Sequence, residues 1–130
     1  MAEVERSKRF DVTAQQMWGR IGDFQGVAAW HPGIARCTPQ EDGEVRELAL
    51  PDGAKVVERR VAQTDSSYTY RILDPGPLPV SDYEATIAVR DGEGGGSVVD
   101  WRATFTPAGA SEADAIEVIE GVFDGGLDAL

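Results

Sequence analysis

SEADAIEVIEGVFDGGLDAL, residues 111–130, decides the fold. Ile116, Ile119, Val122, Phe123, Leu127 and Leu130 recur at helical spacing and share one broad stripe, the mark of a helix laid on a core. Ser111 with Asp114 is a capping-box pattern, and Glu112 and Asp114 suit the positive end of the helix dipole. Gly125 and Gly126 stand out, because each costs about 1 kcal/mol against Ala inside a helix. Gly126 lies within the apolar stripe. Either the helix packs closely or frays there, or the missing side chain leaves room for something else.

Upstream, nearly everything reads as strand. Glu3–Asp11 alternates imperfectly, with one charged face. Thr13 caps a short helix with Gln16 in the capping-box position, and Met17, Trp18 and Ile21 form its apolar side. Gly22 ends it, 23–29 allows a second short helical turn, and Trp30-His31-Pro32-Gly33 is a stop. Strands follow at close spacing: 34–40, a two-residue Asp42-Gly43 hairpin, 44–50, a Pro51-Asp52-Gly53 turn, then 55–64. Residues 67–73 carry Tyr68, Tyr70 and Ile72 on one face. Pro75, Pro77 and Pro79 stiffen the next loop. Residues 80–90 put Tyr83, Ala85, Ile87 and Val89 on an apolar face, and 97–106 do the same with Val99, Trp101, Ala103 and Phe105. The glycine-rich loop 91–96 joins them.

The order is strand, two short helices, six strands, long helix. Short turns make an antiparallel meander, and one apolar face per strand means one covered side. The long helix is expected to be its sole cover. The fold class is α+β, with one domain over residues 1–130.

Composition narrows the function. A net charge of −11 excludes attraction to nucleic acid or an anionic membrane, both of which need basic patches. An apolar content of 42% argues for a folded globule. The lone Cys37 forms no intramolecular disulfide and fits a reducing compartment; with no apolar run at the N-terminus, the expected location is cytoplasmic. No segment is apolar for long enough to insert in a membrane. One His and one Cys make a zinc site of the common kinds untenable, and the familiar nucleophile, phosphate-loop and metalloprotease motifs are missing, so neither metal nor cofactor is expected. The expected state is a monomer or a weak homodimer.

Several residues are candidates for chemistry. His31 alone titrates near neutral pH, and is either a rim residue held by its turn or a polar contact at a pocket mouth. Glu58 and Arg60 share a strand face. Pointing inward they form a buried ion pair of the kind kept for recognition; pointing outward they are solvated surface. Tyr68, Tyr70 and Tyr83 sit on apolar faces, where each hydroxyl needs a partner. They either reach the edge of the core or line an apolar cavity.

The chain resembles the START-like superfamily, the polyketide cyclase/dehydrase and lipid-transport group that includes the birch-pollen allergen and the plant abscisic-acid receptors. The resemblance runs through Met17-Trp18, Gly22-Asp23-Phe24, Trp30-His31-Pro32, Leu50-Pro51-Asp52-Gly53, Glu58-Arg59 and Tyr68-Thr69-Tyr70-Arg71-Ile72. It continues through Gly76-Pro77-Leu78-Pro79-Val80, Tyr83, Trp101 and Gly126-Leu127-Asp128-Ala129-Leu130. It implies a helix-grip fold: a seven-stranded antiparallel sheet around a long C-terminal helix, with a cavity between them for a small hydrophobic molecule.

By the same resemblance, the loops holding Pro51, Asp52 and Gly53 and Pro77, Leu78 and Pro79 form the entrance. Glu58, Tyr83 and Ala85 match cavity positions. The receptors' cavity lysine corresponds to Ala35, so carboxylate recognition in that manner is not implied, and Arg60 is the candidate substitute. The leading expectation is a non-catalytic binder of a lipid, polyketide or isoprenoid. Glu58, Arg60, Tyr68, Tyr70 and Tyr83 would orient the ligand; Ala85, Ile87, Val89, Trp101, Ile119, Phe123 and Gly126 would shape the cavity. The alternatives are an aromatase/cyclase-like enzyme using Glu58, His31 or Tyr83 for proton transfer, and a module that uses the loops against a protein.

Overall fold

The computed structural model describes Met1–Leu130. The strands are β1 (Ala2–Phe10), β2 (Arg36–Gln40), β3 (Val45–Ala49), β4 (Lys55–Gln63), β5 (Ser67–Asp74), β6 (Val80–Asp91) and β7 (Ser97–Pro107). Helix α1 (Ala14–Ile21) and a 3-10 turn (Phe24–Ala29) follow β1, and helix α2 (Glu112–Ala129) comes last. The strands form one antiparallel sheet in the order β1-β7-β6-β5-β4-β3-β2.

Local chemistry explains the elements. Thr13 forms the full capping box of α1: Gln16 N donates to its hydroxyl at 3.1 Å, and its own N–H donates to Gln16 Oε1 at 3.0 Å. At α2 only one arm forms, with Asp114 N donating to Ser111 Oγ at 3.1 Å. Asp114 is one carbon shorter than the Glu that normally reaches back. The loop between β2 and β3 is longer than the expected two residues. Gln40 pairs with Val45, and Glu41, Asp42 and Gly43 all take positive φ to make the turn.

The apolar stripe of α2 packs on β1 and β7, burying Ala115, Ile119, Phe123 and Leu127. Arg6 and Lys8, on the charged face of β1, reach α2 from the side: Arg6 pairs with Asp124 and Glu120, and Lys8 with Asp128. α2 is not the sole cover. Met17, Ile21, Phe24 and Val27, from α1 and the 3-10 turn, are also buried, and α1 packs on β6 and β7. An eighteen-residue helix cannot span seven strands, so the N-terminal helices cover what it leaves open. The β4–β5 ladder is irregular twice, at Leu73 of β5 opposite Val57 and Glu58 and at Val61 of β4, and the β6–β7 ladder once, in β6 between Ser81 and Glu84.

Candidate functional site

The inner face of the β3–β4 hairpin holds two charges. The turn after Ala49 sets the β3–β4 register, in which Ala49 faces Lys55 and Arg46 therefore faces Glu58. Both are buried, Arg46 at 2% exposure and Glu58 at 6%. Arg46 Nε donates to Glu58 Oε1 at 2.8 Å, its Nη2 lies 2.7 Å from the same oxygen, and its Nη1 donates to the Phe24 carbonyl at 2.6 Å. The guanidinium lies over aromatic rings, 4.0 Å from the centroid of Phe24 and 4.9 Å from that of Tyr70. The buried ion pair is thus Arg46–Glu58 and not Glu58–Arg60. Arg60 stays on the inner face but at its rim, half-buried with its guanidinium 5.5 Å from the Phe24 centroid; Glu44 lies 2.8 Å from its Nη2, and its Nη1 donates to Gln63 Oε1. The bulge at Val61 follows it.

Electrostatics follow from burial. Burial opposes the charge on Arg46, but Glu58 and the Tyr68 and Tyr70 oxygens outweigh it and keep the guanidinium protonated. Burial pushes the Glu58 carboxyl above its ordinary value, against the pull of Arg46. Burial also raises Tyr68, Tyr70 and Tyr83, so all three are neutral phenols at physiological pH. Trp101 Nε1 donates to Tyr70 Oη at 3.2 Å, the Tyr70 and Tyr83 ring centroids are 6.1 Å apart, and the Arg46 guanidinium lies 5.7 Å from the Tyr68 centroid.

Tyr68, Tyr70, Tyr83, Ala85, Ile87, Val89, Trp101, Ile119, Phe123, Gly126 and Glu58 share one interior, and of the expected lining residues Arg60 alone lies outside it. They fill that interior together. Trp101 stacks on Phe123 at 4.2 Å and Tyr83 on Phe105 at 6.1 Å, and the main depressions of the surface open elsewhere. The expected standing cavity is corrected to a packed core, because large rings from both layers interdigitate.

Gly126 explains part of that packing. A Cβ there would stand 2.7 Å from His31 Cδ2 and 3.0 Å from both Trp30 and Trp101. The absent side chain is room for His31 and two indoles. His31 is buried, and burial lowers its pKa. Its Nδ1 accepts from Gly33 N at 3.0 Å, which leaves Nε2 to donate to the Val122 carbonyl on α2 at 2.8 Å. His31 therefore clasps α2. Cys37 is remote from it and contacts Gln25 Oε1 at 3.4 Å.

The two proline loops converge on one apolar cluster. Leu50 and Leu78 both pack against the cluster of Val27, Leu48 and Val56, and Gly76, at φ 53°, lies so close to the Lys55 carbonyl that no Cβ fits. Arg46 was not among the expected site residues. Its signal was the Leu50–Ala54 turn, which fixes the register, together with its place on the face of Leu48.

A curved seven-stranded antiparallel sheet gripping a C-terminal helix is the helix-grip class of protein. The whole chain, residues 1–130, matches the family described as polyketide cyclase/dehydrase and lipid transport, and the protein belongs to it. The protein XoxI from Bacillus cereus is 37% identical, with a TM-score of 0.96 over 99% of this chain and 92% of that one. A protein from Bacillus thuringiensis is 38% identical, with a TM-score of 0.95 over 99% and 96%. The Zhui aromatase/cyclase from Streptomyces sp. R1128 shares the fold at 18% identity, with a TM-score of 0.76 over 98% and 87%. A search of curated proteins gave no match. No helix is long and apolar enough to cross a membrane.

Proposed function

We propose that the protein binds one small, largely apolar molecule between the sheet and α2, without transforming it. The buried Arg46–Glu58 pair carries this reading. Desolvating two charges is expensive, and well-packed apolar residues at such positions commonly give equal or greater stability. The pair is buried on the inner face of β3 and β4, within an aromatic cage and beside three neutral phenols. That is the composition of a ligand site: apolar walls with a few convergent polar groups.

The interior is packed, so uptake displaces side chains, and the observed affinity is lowered by the free energy of opening. An aromatase/cyclase reaction needs a free base inside. Glu58 is engaged by Arg46 and the phenols are held neutral, which favours binding over catalysis.

Native mass spectrometry of protein isolated from its own cells tests this. A co-purifying small molecule, released on denaturation, is expected. No adduct, together with no rise in melting temperature with oleate, N-phenyl-1-naphthylamine or a tricyclic polyphenol, would contradict it.

A further inference from the structure

β5 and β6 part company before they end. Their last paired residues are Arg71 and Glu84, yet β5 runs on to Asp74 and β6 begins at Val80. The cause is the β6 bulge. Ser81 pairs with Thr106 and Glu84 with Thr104, so Asp82 and Tyr83 together face Phe105. Asp82 makes the kink at φ 50°, a left-handed conformation that Asp tolerates better than most residues. Residues 72–74 stay with β4, where Ile72 pairs with Glu58 and Asp74 with Val57. The sheet is split between two neighbouring strands, on the outer side of the interior.

A groove lies over the split. One hollow of about 250 Å³ is lined by Ile72, Leu73, Pro75, Val80, Asp82 and Tyr83, among others. A second, of about 480 Å³, shares Ile72, Leu73, Asp82 and Tyr83 with it. Its rim includes Leu73, 52% exposed and one of the few large apolar side chains left in water. Its floor includes Tyr83, 4% exposed, whose ring stacks on Phe105 and lies 6.1 Å from the Tyr70 ring. Surface groove and interior phenols are therefore the two sides of one residue.

We propose that this split between β5 and β6 is the portal of the interior site, and that an apolar molecule seats against Leu73 and passes beside Tyr83. The proposal rests on the binding function above. It replaces the two proline loops as the route, since Leu50 and Leu78 beside those loops are both packed down on the apolar cluster of Val27, Leu48 and Val56. Movement at the portal breaks no β5–β6 ladder hydrogen bond, because none exists beyond Arg71 and Glu84. Passage requires only that the Asp74–Pro79 loop and the Tyr83 ring shift.

Stopped-flow fluorescence with N-phenyl-1-naphthylamine, a neutral apolar probe, tests the route. Ser81 and Leu73 are exposed, so Ser81→Trp and Leu73→Glu should fold with melting temperatures near wild type. A blocked portal slows entrance and exit alike. In Ser81→Trp the association and dissociation rates should both fall by about tenfold, while Kd stays within about threefold. Leu73→Glu should slow association in the same way. Asp52→Trp, at the proline-loop mouth, should leave both rates unchanged. Unchanged rates in Ser81→Trp and Leu73→Glu, or slowing in Asp52→Trp alone, would overturn the portal and leave the binding function standing. No binding of any apolar probe to wild type would remove the binding function, and the portal with it.

Discussion

The two halves of the sheet are built differently. β1, β7 and the paired part of β6 are long and continuous, and their inner side chains are apolar: Val4, Val99, Ala103, Phe105, Ala85 and Ile87. α2 and α1 pack there. β3, β4 and β5 form the other half, where the β4–β5 ladder is interrupted twice and the inner face holds Arg46, Glu58, Tyr68 and Tyr70. One half is a hydrophobic platform that supplies stability. The other carries buried polarity that stability does not require. The difference supports the proposal that β3–β5 contribute the ligand-orienting groups while β1, β7 and β6 contribute support.

The sharpest way to break this contrast is to remove one charge. Arg46→Ala leaves Glu58 buried and unpaired, and should lower stability in urea denaturation by about 3–5 kcal/mol. The double variant Arg46→Met with Glu58→Leu should recover most of that loss, because apolar packing replaces the pair. It should also lose the polar contribution to ligand binding. If Arg46→Ala is neutral, the pair is not buried as described.

The platform half breaks by overpacking. Gly126→Leu forces a side chain against His31, Trp30 and Trp101, and should cost about 1–3 kcal/mol by the same measurement. A stabilised variant would show that the space is open.

His31 gives a pH signature. Burial, reinforced by the Arg46 charge and opposed by the Val122 contact, lowers its pKa from the ordinary 6.5. Its contribution is present in full above about pH 6.5. It is lost as the pH falls through the lowered folded value, because the unfolded chain then binds the proton more readily. Protonation also breaks the bond from Gly33 N. The gap in melting temperature between wild type and His31→Asn should therefore narrow from pH 7.5 to pH 5. A constant gap would contradict the clasp.

The smallest effect belongs to the outer face. Arg90 pairs with Asp100 in water, and Arg90→Ala should leave the urea midpoint within experimental error. A clear shift would mean that outer-face charges matter to the fold as the inner pair does.

Much of this architecture was legible from local signals. The stripe of residues 111–130, the Thr13–Gln16 box and the alternating strands placed every element. They did so because helix and strand periods are set by one residue's neighbours. What failed depends on long-range approach. Glu58 was recognised, but its partner Arg46 lies across a hairpin, whereas Arg60, nearer in sequence, pairs at the rim with Glu44. Gly126 was seen as anomalous, yet only the structure brings His31 and Trp30, far away in sequence, against it. Whether tyrosines line a hollow or fill one depends on the volume of every facing side chain, which periodicity does not carry. The split beside Asp82 was invisible because Asp in a strand reads as an outward polar residue rather than as a bulge.

The central claim is that an apolar molecule enters the interior between the sheet and α2, against the polar groups that β3–β5 bring there. Heteronuclear NMR of the protein titrated with N-phenyl-1-naphthylamine tests it most directly. The account predicts the largest side-chain and amide shifts at Arg46, Glu58, Tyr68, Tyr70, Tyr83 and Trp101, with small ones along β1. Shifts confined to the outer face, or none at saturating probe, would contradict it.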